Sequence, residues 1–166
     1  MKLQTIKRCC AMFVVNHILA GTHSYGLKRK LLRFAGYQVG EETRVVGPLF
    51  STAKLKIGAG CWIGRDFKAH GNGSVVIEDN CDIAPGVMFL TGGHEIGDGE
   101  RRAGTGQHYA ITVQKGAWIG ARATITKDVT VGAGSVVAAC ACVARDVPKH
   151  TLCGGVPART IRELKE

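Results

Sequence analysis

Between Gly92 and Ala110 the chain gathers His94, Glu95, Asp98, Glu100, Arg101, Arg102, His108 and Tyr109, more titratable chemistry than any other segment holds. A neutral imidazole accepts a proton near neutral pH, so a histidine beside an alcohol or amine can turn it into a nucleophile. His94, which follows Thr91-Gly92-Gly93, is the candidate for such a base. On residue grounds alone, a single loop histidine is more often a surface residue than a catalyst. A base of this kind works best when a third group fixes its tautomer. Glu95, Asp98 and Glu100 are near in sequence, Asp82 is a candidate in space, and the sequence does not choose among them. His17, His23, His70, His108 and His150 form no pair at ligand spacing, so no metal site is expected.

The elements that must hold His94 are written in a six-residue step. Ile77, Ile83, Phe89, Val113, Ile119, Ile125, Val131, Val137 and Val143 share one phase, and all but Phe89 are Val or Ile, which make up only 27 of 166 residues. Four residues after each stands a small or Val-sized residue, among them Cys81, Val87, Ala117, Ala123, Ser135 and Ala141. A helix turns about 100° per residue, so a six-residue step builds no helical face. In extended chain the same step keeps one side inward, and a stack of short β-segments with bends between them follows. Gly58, Gly60, Gly64, Gly120, Gly132 and Gly134 fall at or near the bends. Val39, Val45, Ser51, Ile57, Ile63, Ala69 and Val75 repeat in a shifted phase, which predicts a two-residue insertion near His70-Gly71-Asn72-Gly73. Phe89 and Val113 keep phase across residues 92–110, as though one extra turn had been pulled out into a loop. Loops on such scaffolds usually carry function.

Val131-Gly132-Ala133-Gly134-Ser135-Val136, Trp118-Ile119-Gly120 and Gly154-Gly155-Val156-Pro157-Ala158-Arg159 resemble the hexapeptide-repeat acyltransferases, in particular the galactoside, maltose and nodulation-factor O-acetyltransferase group. The resemblance implies a mainly β fold: a left-handed parallel β-helix with three hexapeptides per turn, an N-terminal helical segment and a short C-terminal helix. The expected divisions are residues 1–38 for the helical segment, 39–153 for the β-helix with its active-site loop at 92–110, and 154–166 for the tail.

The resemblance also implies a homotrimer with sites between neighbours and acetyl-CoA as co-substrate. It makes His94 the general base, a role that Thr91-Gly92-Gly93-His94, Arg102, Gly104 and Tyr109-Ala110-Ile111 carry over together. His70 stands where the sugar enzymes tend to have an Asn near the acceptor, and Trp118 resembles the family Trp beside the active site. Ala121 replaces a Ser near the thioester carbonyl, which leaves oxyanion help to a backbone N–H. Ala139, Ala144 and Arg145 match positions lining the coenzyme A groove, and Arg159 and Arg162 lie in the tail that meets its phosphates. The expected function is acetyl transfer to a hydroxyl of a sugar or polysaccharide precursor. Alternatives are transfer to the amine of an amino sugar, amino acid or antibiotic, or a catalytically silent β-helix used for assembly.

Composition sets the remaining bounds. The net charge of +9 predicts an anionic partner, a phosphorylated cofactor or a membrane surface. No nucleic-acid motif and no interleaving of basic with aromatic residues is present, so nucleic acid is not expected. Seven Cys without framework spacing argue against a disulfide scaffold and for a reducing cytoplasm. Cys61 and Cys81 fall at inward positions, whereas Cys140 and Cys142 flank inward Ala141.

The N-terminus is basic to Arg8 and apolar from Cys9 to Gly21, an order that mimics a secretory signal. The apolar run is shorter than the about 18 residues of a membrane span and contains Asn16 and His17, which favours a packed helix. Its basic end is compatible with weak contact to a membrane surface. A second helix with Leu27, Leu31, Leu32 and Phe34 is expected to end at Gly36, with Lys28-Arg29-Lys30 and Arg33 as a solvated face.

Overall fold

Strands of two to five residues alternate with corners, and the corners bring every third hexapeptide back into register. In the computed structural model, which describes residues 3–165, one parallel sheet runs through Gln38–Val39, Lys54–Ile57, Ser74–Ile77, Ala110–Val113 and Thr130–Val131. A second runs through Arg44–Val45, Trp62–Ile63, Asp82–Ile83, Trp118–Ile119, Val136–Val137 and Thr151–Gly155. The third joins Leu49–Ser51, Phe67–His70, Met88–Leu90, Thr124–Thr126 and Cys142–Val143. These sheets are the three faces of one β-solenoid of about six turns. Met1, Lys2 and Glu166, the ends of the expected first and last segments, lie outside the described residues.

Register locates both departures from the repeat. Gln38 pairs with Lys56 and Arg44 with Trp62, 18 residues apart, which is three hexapeptides. Ser51 still pairs with Ala69, but Lys54 pairs with Ser74, so two residues are inserted between Ala69 and Ser74, as expected. Ser74 then pairs with Ala110, 36 residues on, twice the usual step. The extra length of one coil is the 92–110 segment. It is an antiparallel β-hairpin, Gly92–Ile96 against Ala103–His108, rather than an irregular loop.

Every residue of the nine-member series from Ile77 to Val143 is buried, and so is the shifted series from Val39 to Val75. Ile77 continues the Val39–Ile57 ladder toward Val113, while Val75 stacks between Leu55 and Ile111 as the second inward residue of its strand. Cys61, Cys81 and Cys153 fill the core, and Cys140 lies exposed at a corner. Corner chemistry is more varied than glycine. Glu42, Gly60, Asn80, Gly116, Gly134 and His150 form one column of left-handed corners, with φ between +51 and +71. Close stacking, not φ, requires Gly120, where a Cβ would stand 2.6 Å from the Ala139 nitrogen of the next coil.

Both ends of the stack are covered. Helix α1 (Leu3–Phe13) continues through a π-helical turn (Val14–Ile18), and α2 (Tyr25–Phe34) closes at Gly36 with φ +95. Asn16 clamps Leu49 with two hydrogen bonds, Nδ2 to its carbonyl and its N–H to Oδ1, each 2.9 Å. The basic cluster on α2 is only in part the solvated face expected from its composition: Lys30 is exposed, whereas the other three bind backbone carbonyls. Lys28 is buried, with Nζ donating to the carbonyls of Gly21, Val45 and Val46 at 2.5, 2.9 and 3.0 Å. Arg33 donates to the Val39 carbonyl and pairs with Glu41 at 2.9 Å, and Arg29 reaches Thr43, Glu41 and Glu42. The first coil has no coil beneath it, so its open carbonyls are met by these cations.

The C-terminal segment also differs from the short helix expected. Ala158–Glu163 is a strand that turns back at Gly155-Val156-Pro157 and pairs antiparallel with Thr151–Gly155. An unpaired last strand would leave its backbone groups open, and the return strand satisfies them where a helix could not.

Candidate functional site

The hairpin is rooted by Thr91, which is fully buried. Its hydroxyl donates to the His70 carbonyl at 2.9 Å and accepts the Gly73 N–H at 3.2 Å. Its backbone carbonyl accepts the Tyr109 N–H at 2.9 Å, so both feet of the hairpin meet at one residue. The inserted corner below must pass close to those feet. A Cβ on Gly73 would stand 2.0 Å from the Tyr109 carbonyl oxygen, which makes glycine obligatory there. Asp128, from the next coil, accepts the Ala110 N–H at 2.7 Å and holds the exit strand.

His94 projects from the first hairpin strand, opposite Gly106. Its Nδ1 lies 2.8 Å from the Gly104 carbonyl oxygen. A carbonyl only accepts, so Nδ1 carries the proton and Nε2 presents a lone pair. The orienting group is therefore not one of the four carboxylates considered from sequence. Glu95 accepts from Gln107 Nε2 at 2.8 Å, and Asp98 caps the hairpin tip by accepting the Glu100 and Arg101 N–H groups at 3.1 Å. Asp82 lies on the second sheet between Trp62 and Trp118. Strand pairing with a bulge after His94 brings Gly104 to the ring, a contact that sequence distance hides.

An open groove of about 390 Å³ runs beside His94, lined by His70, Asn72, Leu90, Gln107 and His108 together with the surrounding glycines. The fold thus brings His70, His94 and His108 together. His70 is half-buried, with its ring 5.1 Å from that of Phe50. Asn72 and Gln107 were not singled out from sequence. Gln107 is detectable only through its pairing with Gly93. Arg102 sits at the hairpin tip, donating to the Gly97 carbonyl at 3.3 Å, outside the groove lining. Trp118 stands 54% exposed on the second face and lines, with Trp62, Asp82, Ala84 and Pro85, a separate shallow concavity.

The residues expected to meet coenzyme A spread along two corners. Ala121 and Ala139 stack at one, where the Ala121 carbonyl accepts the Cys140 N–H at 2.9 Å. Ala144 and Arg145 are exposed at the corner that follows Val143. Arg145 and Arg159 line one small cleft of about 170 Å³ with Pro148 and Thr160, whereas Arg162 pairs across the hairpin with Leu152 and is not part of that lining. Among the described residues no group of three or more His, Cys, Asp or Glu is placed to hold a metal ion.

A scan against family profiles gives no match. The galactoside O-acetyltransferase of Escherichia coli K12 is 34% identical over 134 residues, 77% of this chain and 64% of that relative. Among solved structures, a hexapeptide-repeat acetyltransferase of Vibrio cholerae O1 biovar eltor, complexed with acetyl coenzyme A, superposes with a TM-score of 0.80 at 26% identity, covering 98% of this chain and 88% of that one. The relatives and structural neighbours of this chain are acetyltransferases of the hexapeptide-repeat family. A galactoside acetyltransferase in complex with coenzyme A is similar at a TM-score of 0.78 and 25% identity, covering 98% of this chain and 81% of that one. The solenoid is therefore the family's left-handed β-helix. The chain spans 64% of the length of the curated E. coli relative.

Proposed function

We propose that this chain transfers the acetyl group of acetyl-CoA to a hydroxyl of a sugar or polysaccharide precursor, with His94 as general base. The observation that carries the reading is the 2.8 Å contact of Nδ1 with the Gly104 carbonyl, which leaves Nε2 as an acceptor beside an open groove. The acceptor hydroxyl gives its proton to Nε2 as its oxygen bonds to the thioester carbonyl carbon. Collapse of the tetrahedral species breaks the C–S bond, and the proton held by His94 passes to the leaving thiolate, so the imidazole ends neutral. A backbone N–H near Ala121 holds the developing oxyanion. His70 and His108 meet the acceptor. Arg145 and Arg159 meet the phosphates of coenzyme A, with Arg162 further along the same terminal hairpin. Relatives complexed with acetyl-CoA and coenzyme A support the donor, and the galactoside O-acetyltransferase supports a hydroxyl acceptor.

A homotrimer belongs to the same reading. Within one chain Trp118 and Arg102 lie outside the His94 groove, and a neighbouring copy presenting its Trp118 face would close that groove. The proposed compartment is the cytoplasm, where the seven free thiols would stay reduced. Release of free thiol from acetyl-CoA, measured over a panel of sugars, amino sugars and amino acids, tests the proposal. Release is expected with hydroxyl-bearing sugars and lost when the accepting hydroxyl is replaced by hydrogen. Release only with amines would overturn O-transfer, and no release with any acceptor would favour the silent scaffold.

A further inference from the structure

The helical cap carries a surface for which acyl transfer has no use. The first 40 residues contain seven Lys and Arg and no Asp or Glu, leaving 15 basic against 13 acidic residues in the other 126. Half of the exposed large apolar side chains among the described residues lie on the same cap: Ile6, Phe13, Ile18, Leu27 and Phe34. Ile6, Cys10 and Phe13 follow helical spacing along the outer side of α1, and all three are exposed. Leu27, Lys30 and Phe34 make the corresponding stripe on α2. Lys7 Nζ, 5.6 Å from the centre of the Phe34 ring, joins the two stripes.

Most other cap cations are already engaged. Lys28 is buried against three carbonyls, Arg8 donates to the Tyr37 hydroxyl and the Ser51 carbonyl, and Arg29 and Arg33 pair with Glu41 and Glu42. Among the described residues, the cap cations left to the outer surface are Lys7 and Lys30, and they flank Phe34. Isolated exposed apolar residues are ordinary, but two adjoining apolar stripes edged by lysine, on helices without a carboxylate, form a surface complementary to a negatively charged apolar boundary. No helix among the described residues is long and apolar enough to cross a membrane.

We propose that the cap docks onto an anionic phospholipid bilayer, with Ile6, Phe13, Leu27 and Phe34 at the boundary between headgroups and acyl chains and Lys7 and Lys30 against lipid phosphates. Apolar stripes distinguish this partner from a nucleic acid, which would leave them in water. The hairpin bearing His94 leaves the solenoid after Leu90, two coils beyond the Leu49–Ser51 strand that Arg8 and Asn16 of the cap reach.

Vesicle flotation of the full chain tests this, using phosphatidylcholine alone and phosphatidylcholine with about a quarter phosphatidylglycerol. At least about tenfold more protein should float with the anionic vesicles, and about 1 M salt should release it. Phe13→Ser with Phe34→Ser, and separately Lys7→Glu with Lys30→Glu, should each lower binding about tenfold without a change in melting temperature. Ile161→Ser, an exposed apolar residue at the other end of the solenoid, should bind like wild type. Equal binding to both vesicles, no flotation, or full binding by both cap variants would overturn the proposal. So would a Phe13→Ser/Phe34→Ser chain that sediments as a smaller species with vesicle binding intact, because the stripe would then be a contact between copies. Thiol release is assayed without vesicles, so the docking and the acyl-transfer reading fail separately.

Discussion

A backbone carbonyl orients His94 where a charged triad would use a carboxylate. The Gly104 oxygen fixes the tautomer but adds no full negative charge against the imidazolium that forms during proton transfer. Catalytic help from His94 is therefore expected to come from position and proton acceptance. His94→Ala should lower kcat by about 10² to 10⁴, roughly 3 to 5 kcal/mol in the barrier, and His94→Asn should fail alike because an amide does not take the proton. The side chain is exposed on the hairpin, so the melting temperature should stay within a degree or so of wild type. His70→Ala and His108→Ala serve as controls that alter acceptor KM more than kcat. A wild-type rate for His94→Ala with one control inactive would move the base to that histidine. At the far end, Arg145→Ala and Arg159→Ala should raise the KM for acetyl-CoA with little change in kcat, since a phosphate remote from the reacting carbon is bound alike in ground and transition states. With dephospho-coenzyme A thioester the difference from wild type should shrink. Equal losses with both donors would separate these arginines from the 3′-phosphate.

At the scale of elements, two buried polar anchors hold the hairpin and the cap. Thr91→Val keeps the shape of the side chain but leaves the His70 carbonyl and the Gly73 N–H without their hydroxyl partner. A loss of about 1 to 3 kcal/mol in urea unfolding is expected, with faster amide exchange across Gly92–Ile96. Unchanged exchange there would show that the hairpin does not depend on Thr91. Lys28→Met strips three carbonyls of their donor and should cost about 2 to 4 kcal/mol at neutral pH. Burial also holds the Lys28 pKa below the ordinary lysine value. The unfolded chain then binds that proton more tightly, and the penalty is full below the folded pKa and lifts as pH rises from there to the unfolded value. Wild type should thus gain on Lys28→Met over that alkaline window, and a gap that narrows instead would contradict the assignment.

For the whole molecule, the decisive quantity is the number of copies. The groove beside His94 is open, and Trp118 stands more than half exposed on the second face. Sedimentation should give a trimer, and dilution to monomers should abolish thiol release together with the slow-sedimenting shift. An active monomer would remove the shared site. The solenoid itself has no need of neighbours for its core, because the inward Val and Ile of the inner coils pack on the coil above and the coil below, and the helical cap adds Ala11, Val15 and Leu32 to the same core.

The repeat was fully legible in the amino-acid sequence, including the two-residue insertion before Ser74 and the coil's length of chain at 92–110. Each strand is short, its inward positions are set by pleat alone, and the step of six is therefore local information. His94 could be named as a candidate base through the resemblance carried by Thr91-Gly92-Gly93 before it and the residues after it. What surrounds His94 was not legible: Gly104 meets its ring only because two glycine-rich strands pair with a bulge, and nothing in residue types selects a carbonyl over Glu95, Asp98 or Glu100. The ends of the stack were likewise undecided by local pattern. Lys28, Arg29 and Arg33 resemble a solvated helical face, and Ala158–Glu163 could continue as helix or strand. Tertiary structure assigned both, because the first and last coils expose backbone groups with no coil beyond to bind them, and the nearest chain supplies the missing donors and acceptors.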